Sequence, residues 1–431
     1  MNIADREPGT LKETSTLRVV IVAENVSTKL GGEAFDPLHY FRVLRSRQIE
    51  AWLVTHARNQ SELQALFPAD CDYMRFVYDT WLHKLLWFLE QRLPRRLGEV
   101  TMGLLSHLHT QSIQRRIIRR LVSEHHIDVV HEPIPLSPKY PSLMFDVDAP
   151  VIIGPLNGDM EFPPAFRSRQ SFLVTQTVAL GRQLSNWFNR LIPGKLKAHT
   201  LLVANERTQR ALPSGIRGKV IELVDNGVNL SVWQPTPVTA KEPSPTVRFV
   251  YLGRLVDWKA VDLLLEAFQP VAAQTDAILE IIGDGKLRQE LEALSHRLGL
   301  SERVIFTGWL SQPECALKLQ QADALVLPSL LECGGAVVLE AMAIGLPVIA
   351  TNWGGPSDYL DATCGILVEP TSKAGFVGGL TDAMLKLESS PDLRLSMGRA
   401  GQERIRKYFD WERKVDQILE IYQSVRASVA K

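Results

Sequence analysis

Short apolar runs rich in β-branched residues recur along the chain, most of them separated by a stretch of helical spacing. This repeat constrains the fold more than any other feature. Arg18 to Ala23 (RVVIVA) is the first such run, followed by Ala51–Thr55, Asp128–His131, Pro150–Ile153, Thr200–Ala204 and Val220–Val224. A run of this kind with no polar alternation is a parallel strand buried on both faces. Strands alternating with helices predict a doubly wound α/β sheet with helices on both sides.

The segment Gln234–Pro245 (QPTPVTAKEPSP) holds four prolines in twelve residues, a density that neither a helix nor a central strand accepts. It predicts an interdomain linker. The strand pattern then restarts with Val247–Leu252, Ala277–Ile282, Val304–Thr307, Ala324–Leu327, Val348–Thr351 and Gly365–Val368, and Gln402–Val429 returns to helical spacing. The expected organisation is a flexible tail over 1–16, an α/β domain over 17–235, a linker over 236–245, a second α/β domain over 246–405 and a closing helix over 406–431. With 431 residues, 45% of them hydrophobic, the chain is long enough for two cores.

Lys plus Arg and Asp plus Glu number 48 each, so no global field draws the chain to nucleic acid. Cys71, Cys315, Cys333 and Cys364 form no C-x-x-C pair and have no His at metal-ligand spacing, which argues against a zinc site and a disulfide framework. The N-terminus is polar, unlike a secretory signal, and no window reaches the roughly 18 apolar residues of a spanning helix. These features predict a cytoplasmic protein.

The strongest chemical signal is Leu327-Pro-Ser-Leu-Leu-Glu332-Cys333-Gly334-Gly335-Ala336-Val-Val-Leu-Glu340. A strand runs into a loop with one carboxylate, two glycines let backbone approach a ligand, and a helix then presents its first amides, which together describe an anion site. With the helix starting near Ala336, Glu340 lies roughly 6 Å along its axis. The two carboxylates then meet different parts of one extended ligand. Helix-dipole stabilisation is an equal alternative for Glu340, whereas Glu332 has no capping role to explain it.

A second signal, Gly253-Arg254-Leu-Val-Asp257-Trp258-Lys259, places two cations on a strand exit, suited to a diphosphate. A third, Ile281-Ile282-Gly283-Asp284-Gly285-Lys286, is a strand entering a glycine turn. Arg288 stands where a dinucleotide fingerprint needs its third glycine, which weakens a dehydrogenase reading, and a plain tight turn explains the segment as well. In the first half, Gly31-Gly32 after the first strand and Asn157-Gly158-Asp159 after the strand Val151–Ile153 are candidate ligand-closing turns. A lone His131 at a strand end is more often structural than catalytic.

Taken together, Gly253–Phe268 (GRLVDWKAVDLLLEAF), Ile281–Glu292 (IIGDGKLRQELE), Val304–Leu310 (VIFTGWL), Ala322–Ser329 (ADALVLPS) and the E-x7-E pair Glu332 and Glu340 resemble the retaining glycosyltransferases of family 4, the group 1 glycosyltransferases. Asn226–Pro235 (NGVNLSVWQP) is similar to the segment that ends that family's first domain. The resemblance spans nearly the whole second half and, in the first, only the glycine turn and strand order. It implies the GT-B fold, two Rossmann-like domains facing across a cleft, and sugar transfer from a nucleotide diphosphate-sugar co-substrate to a carbohydrate or lipid-linked acceptor with retention. It further implies that no cofactor or essential metal is needed. By position, Arg254 and Lys259 would hold the donor diphosphate, Glu332 with the backbone of Cys333 to Ala336 the sugar hydroxyls and phosphate, and Glu340 the ribose. Gly253, Gly283 and Asp284 would line the donor site. Two departures stand out. Cys333-Gly334-Gly335 replaces the Gly-Phe-Gly of many members, and Asn157 or Asp159 stands where many carry a histidine.

Trp81–His126 carries eight cations, Lys84, Arg92, Arg95, Arg96, Arg115, Arg116, Arg119 and Arg120, against Glu90, Glu99 and Glu124. Pro163–Thr200 carries Arg167, Arg169, Arg182, Arg190, Lys195 and Lys197 with no acid, and both stretches interleave aromatics such as Trp81, Trp87, Phe88, Phe172 and Trp187. Two readings stand open: peripheral contact with the anionic inner face of the cell membrane, or amphipathic helices packed on their own sheet.

Overall fold

The computed structural model describes residues 17–29, 32–93, 98–169, 184–234 and 246–429. The tail 1–16, Gly31 and the linker 236–245 lie outside these. Two compact units divide the chain, one within Met1–Asp159, Thr177–Asp225 and Lys414–Lys431, the other within Met160–Gln176 and Asn226–Arg413.

The first unit is a sheet of β1 (Arg18–Val22), β2 (Glu50–His56), β3 (Met74–Val77), β4 (Val129–Glu132), β5 (Val151–Leu156), β6 (Thr200–Val203) and β7 (Lys219–Glu222). Its order is β3-β2-β1-β4-β5-β6-β7, with every pairing parallel. β1 is central, and Val19, Val20 and Ile21 are fully buried, as an apolar run without alternation requires. Ile118, Leu121 and Val122 of the helix Leu104–His125 cover the same core. Each such side chain contributes roughly 1.5–3 kcal/mol on burial. The edge strand β3 is absent from the expected elements, because MRFV buries only its ends and so lacks a continuous apolar run.

The second unit contains β8 (Arg248–Leu252), β9 (Ile278–Ile282), β10 (Val304–Gly308), β11 (Ala324–Leu327), β12 (Val348–Thr351) and β13 (Gly365–Val368), ordered β10-β9-β8-β11-β12-β13 and again parallel. All six expected strands of this half form. The order reverses between β8 and β11, and in the first unit between β1 and β4. At such a switch point neighbouring loops leave the carboxyl edge in opposite directions and open a crevice.

The units divide differently from the sequence boundaries. Residues 226–234 belong with the second unit, where Val228 bridges Asp410 and Gly227 lies flat against the Trp411 ring. Within 160–169, Trp353 donates from Nε1 to the Glu161 carbonyl at 2.8 Å, and Arg169 pairs with Asp262 at 2.5 Å. The helix Trp411–Val429 returns to the first unit from Lys414 onward, where Lys414 donates to the Asp225 carbonyl and the Tyr422 hydroxyl meets His131 Nδ1 at 2.6 Å. His131 is thus a structural histidine, its Nε2 2.6 Å from the Gly154 carbonyl oxygen. Burial pushes its pKa down to about 4.

Candidate functional site

The switch point of the second unit carries the exits of β8 and β11. Leu330 N–H donates to the Trp258 carbonyl at 2.8 Å, stitching the two loops together. Beside this bond Lys259 Nζ and a Glu332 carboxylate oxygen form an ion pair whose side chains are 13% and 15% exposed. Lys259 ends a short turn, Asp257–Lys259, and Glu332 lies four residues before the helix Ala336–Ile344. The fold therefore brings together the two chemical signals that the sequence places 73 residues apart.

Arg254 is exposed on the same loop, its Cζ 5.7 Å from the centre of the Trp258 ring, and its guanidinium makes no hydrogen bond or ion pair among the described residues. Its carbonyl accepts from the Tyr251 hydroxyl at 2.9 Å, which fixes the loop from below. Burial, with the Glu332 charge adding to it, raises the Tyr251 pKa above the ordinary phenol range.

Gly335 caps the helix Ala336–Ile344 with φ +90°, a conformation open to glycine, and a Cβ there would press on the Glu332 side chain at 3.1 Å. Beneath the loop, a Cβ on Gly355 would fall 1.9 Å from the Gly334 carbonyl oxygen, and Gly355 N–H donates to the Glu332 carbonyl at 2.9 Å. The run Glu332 to Ala336 is thus shaped by backbone contacts, with its amides at a helix start. One turn into that helix Glu340 is half-buried, and burial raises its pKa to about 8. No hydrogen bond or ion pair engages its carboxyl among the described residues. The Ser329 hydroxyl at the β11 exit is likewise buried without a hydrogen-bond partner. Its place in a strand-end motif was visible in the sequence, but no spacing rule singled it out.

Other expected positions take different parts. Gly283, at φ +133°, crosses the neighbouring loop so closely that a Cβ would lie 2.0 Å from the Gly253 carbonyl oxygen. Asp284 caps its own turn, accepting from Gly285 N–H at 2.7 Å and pairing with Arg288 at 3.5 Å. Both residues lie at the β9 exit, where Gly283 packs against the β8 exit at Gly253. In the first unit the Asn157 amide donates to Asp225 at 2.9 Å, and its carbonyl accepts from Arg207 at 3.2 Å, so the side chain is committed to a buried network. Gly158 N–H donates to Thr208 Oγ1 at 3.2 Å, Asp159 sits at φ +59°, and Gly32 opens the helix Gly32–Ser46. Two Asp-x-Asp spacings, Asp70-x-Asp72 and Asp146-x-Asp148, are anchored at their first residues, Asp70 by Arg45 at 2.8 Å and Asp146 by Lys197 at 2.9 Å.

The switch-point loops of this parallel sheet thus gather a lysine, an arginine and a carboxylate beside a glycine-led helix start, where backbone N–H groups favour an anion. The whole chain has the GT-B fold. It aligns over 96% of its length with 99% of a glycosyltransferase from Rickettsia africae at TM-score 0.66 and 15% identity, and over 95% with all of Anabaena HepE solved with UDP at TM-score 0.61 and 16% identity. The family of glycosyl transferases group 1 matches residues 238–404, and the chain belongs to it. The lipopolysaccharide core biosynthesis glycosyltransferase LpsD of Rhizobium meliloti is 30% identical over 53% of this chain and 67% of that protein. A GDP-mannose-dependent alpha-(1-6)-phosphatidylinositol monomannoside mannosyltransferase of Mycobacterium tuberculosis is 32% identical over 44% of this chain. That match spans 53% of the relative, about half its length.

Proposed function

We propose that the chain transfers a hexose from a nucleotide diphosphate-sugar to an acceptor hydroxyl with retention of anomeric configuration. The observation that carries this reading is the Lys259–Glu332 pair at the switch point of a group 1 domain, with Arg254 on the same loop. In the reaction the bond between the anomeric carbon and the diphosphate oxygen breaks as the acceptor oxygen bonds to that carbon. Arg254 and Lys259 meet the charge that collects on the departing diphosphate, the amides of Cys333 to Ala336 meet its oxygens, Glu332 holds the sugar hydroxyls and Glu340 holds the ribose. Preorganised charge of this kind is commonly the largest catalytic term. Because two side-chain cations meet the leaving group, activity should persist in EDTA, and a strict magnesium requirement would count against the scheme.

Thermal melting with UDP-, GDP- and ADP-sugars, followed by turnover with the stabilising donor, tests the proposal. A ligand at 100 times its Kd should stabilise by about 2.7 kcal/mol. Absence of a shift with all three would refute it.

For the acceptor we favour a lipid-linked carbohydrate reached at an anionic membrane surface. Similarity to enzymes named for phosphatidylinositol mannoside and lipopolysaccharide substrates supports this. So does the exposed side of the helix Trp81–Glu90, where Trp81 is 74% exposed, Trp87 63% and Phe88 49%, with Lys84 and Arg92 beside them. Among the described residues no helix is long and apolar enough to cross a membrane.

A further inference from the structure

The first unit has its own switch point, between β1 and β4, and the exit of β1 carries polar atoms that no role yet described uses. Glu24 is the second residue past that strand. Its carbonyl accepts from His56 N–H at 3.2 Å and from the Thr55 hydroxyl at 3.1 Å, so its position is fixed by the neighbouring strand exit. One oxygen of its carboxylate receives His107 Nδ1 at 2.6 Å, and the other faces Arg58 at 3.4 Å. Burial by itself would raise the Glu24 pKa, but the hydrogen bond from His107, with the Arg58 charge, outweighs it and holds the carboxyl below its usual value.

In the neutral ring, a carboxylate on Nδ1 selects the tautomer in which Nδ1 donates and Nε2 accepts. Among the described residues His107 Nε2 is buried without a hydrogen-bond partner, and the same holds for Oδ1 of Asn25, the next residue after Glu24. Leaving such atoms unpaired is costly, and a fold retains that cost where something else supplies the partner. The side chains of Glu24 and His107 each keep 16% of their surface open, and Tyr140 stands edge-on to the His107 ring at 6.3 Å. His107 lies just after a π-helical turn, Glu99–Gly103, an irregularity often found beside functional positions.

Both unpaired atoms are acceptors, and the group next to them is a carboxylate. The complementary ligand is therefore a donor of hydrogen bonds with no negative charge at that point, which describes neighbouring hydroxyls and excludes a phosphate. We infer that Glu24, Asn25 and His107 form a subsite for the hydroxyl groups of a polyol, the sugar or cyclitol portion of the acceptor. This rests on the glycosyl-transfer reading given above. Glu24 acts there as a positioning residue, through the His107 ring.

Saturation-transfer NMR on the full chain, with methyl α-D-mannopyranoside and myo-inositol as probes and UDP and GDP as separate ligands, tests the inference. The parent should bind at least one polyol, and Asn25→Ala and His107→Ala should each weaken it about 3- to 10-fold. Nucleotide diphosphate affinity should not change. His107→Asn separates the roles, because an amide N–H near Nδ1 still serves Glu24 while nothing occupies the Nε2 position. A ligand role leaves His107→Asn as weak as His107→Ala, and a structural role restores parent behaviour. The inference is overturned if the parent binds neither polyol, if His107→Asn matches the parent, or if inorganic phosphate displaces the polyol from the parent but not from His107→Ala. Loss of nucleotide diphosphate binding by the parent would instead strike the transfer reading.

Discussion

At the scale of single residues, Glu332 and Glu340 separate by environment. Glu332 is already paired with Lys259 at the exit of β11, and in the proposed scheme it meets the sugar hydroxyls. Glu332→Gln keeps the shape and removes the charge, and turnover should fall about 100-fold or more with little change in nucleotide diphosphate affinity. Steady-state kinetics beside calorimetric binding measure both, and activity within a few-fold of the parent would remove Glu332 from the reaction. Glu340 sits near 4.5 when unfolded and is pushed up to about 8 by burial when folded. Between those values the folded state holds the extra proton, so this stabilisation is complete below about pH 4.5 and is lost as the pH rises through about 8. Glu340→Gln lacks that slope. From pH 5 to 9 the parent Tm should drop further than the variant's, and parallel Tm curves would show that the carboxyl is not perturbed.

Elements were legible in proportion to how fully they are buried. Apolar runs such as Val348–Thr351 announced themselves because all four residues are buried, whereas Met74–Val77 did not, since its middle residues are only half-buried at a sheet edge. The loops after β8 and β11 were legible because their chemistry is local in sequence, a strand exit followed within seven residues by charge. The Glu24–His107 pair was not, because it joins a strand exit to a helix 83 residues away and neither residue stands in a recognisable motif. Gly283 marks the intermediate case, where its presence could be read but not its reason. With a Cβ 2.0 Å from the Gly253 carbonyl oxygen and φ at +133°, Gly283→Ala should lower unfolding stability by about 2 kcal/mol or more, seen as a shifted denaturant midpoint. An unchanged midpoint with weakened nucleotide binding would return Gly283 to a direct ligand role.

At the scale of the molecule, basic composition separates into cations already committed and cations left over. Lys195 is buried and donates to the Ser137 carbonyl at 2.5 Å, Arg115 donates to the Phe145 carbonyl at 2.9 Å, and Lys197 pairs with Asp146. Arg167 and Arg169 belong to the second unit, paired with Glu161 and Asp262. Arg95, Arg96, Phe172 and Arg182 lie outside the described residues. In the same two stretches Arg119 donates to the Asp146 carbonyl at 2.9 Å and Arg120 pairs with Glu124 at 3.9 Å, while Lys84, Arg92, Arg116 and Arg190 stay exposed together with Trp81, Trp87 and Trp187. Helices packed on their own sheet would turn these indoles inward. The helix Trp81–Glu90 buries only His83 and Leu86. Each cation near an anionic surface contributes about 1 kcal/mol, and that attraction fades within a Debye length of about 10 Å at 0.1 M salt. The full chain should therefore co-sediment with vesicles containing anionic lipid at low salt and dissociate as salt rises. Trp81→Ala with Trp87→Ala should weaken the low-salt binding further, since indole burial adds a contribution that salt does not screen. Binding that ignores salt, or no binding to anionic vesicles at low salt, would refute electrostatic docking and point to an acceptor met in solution.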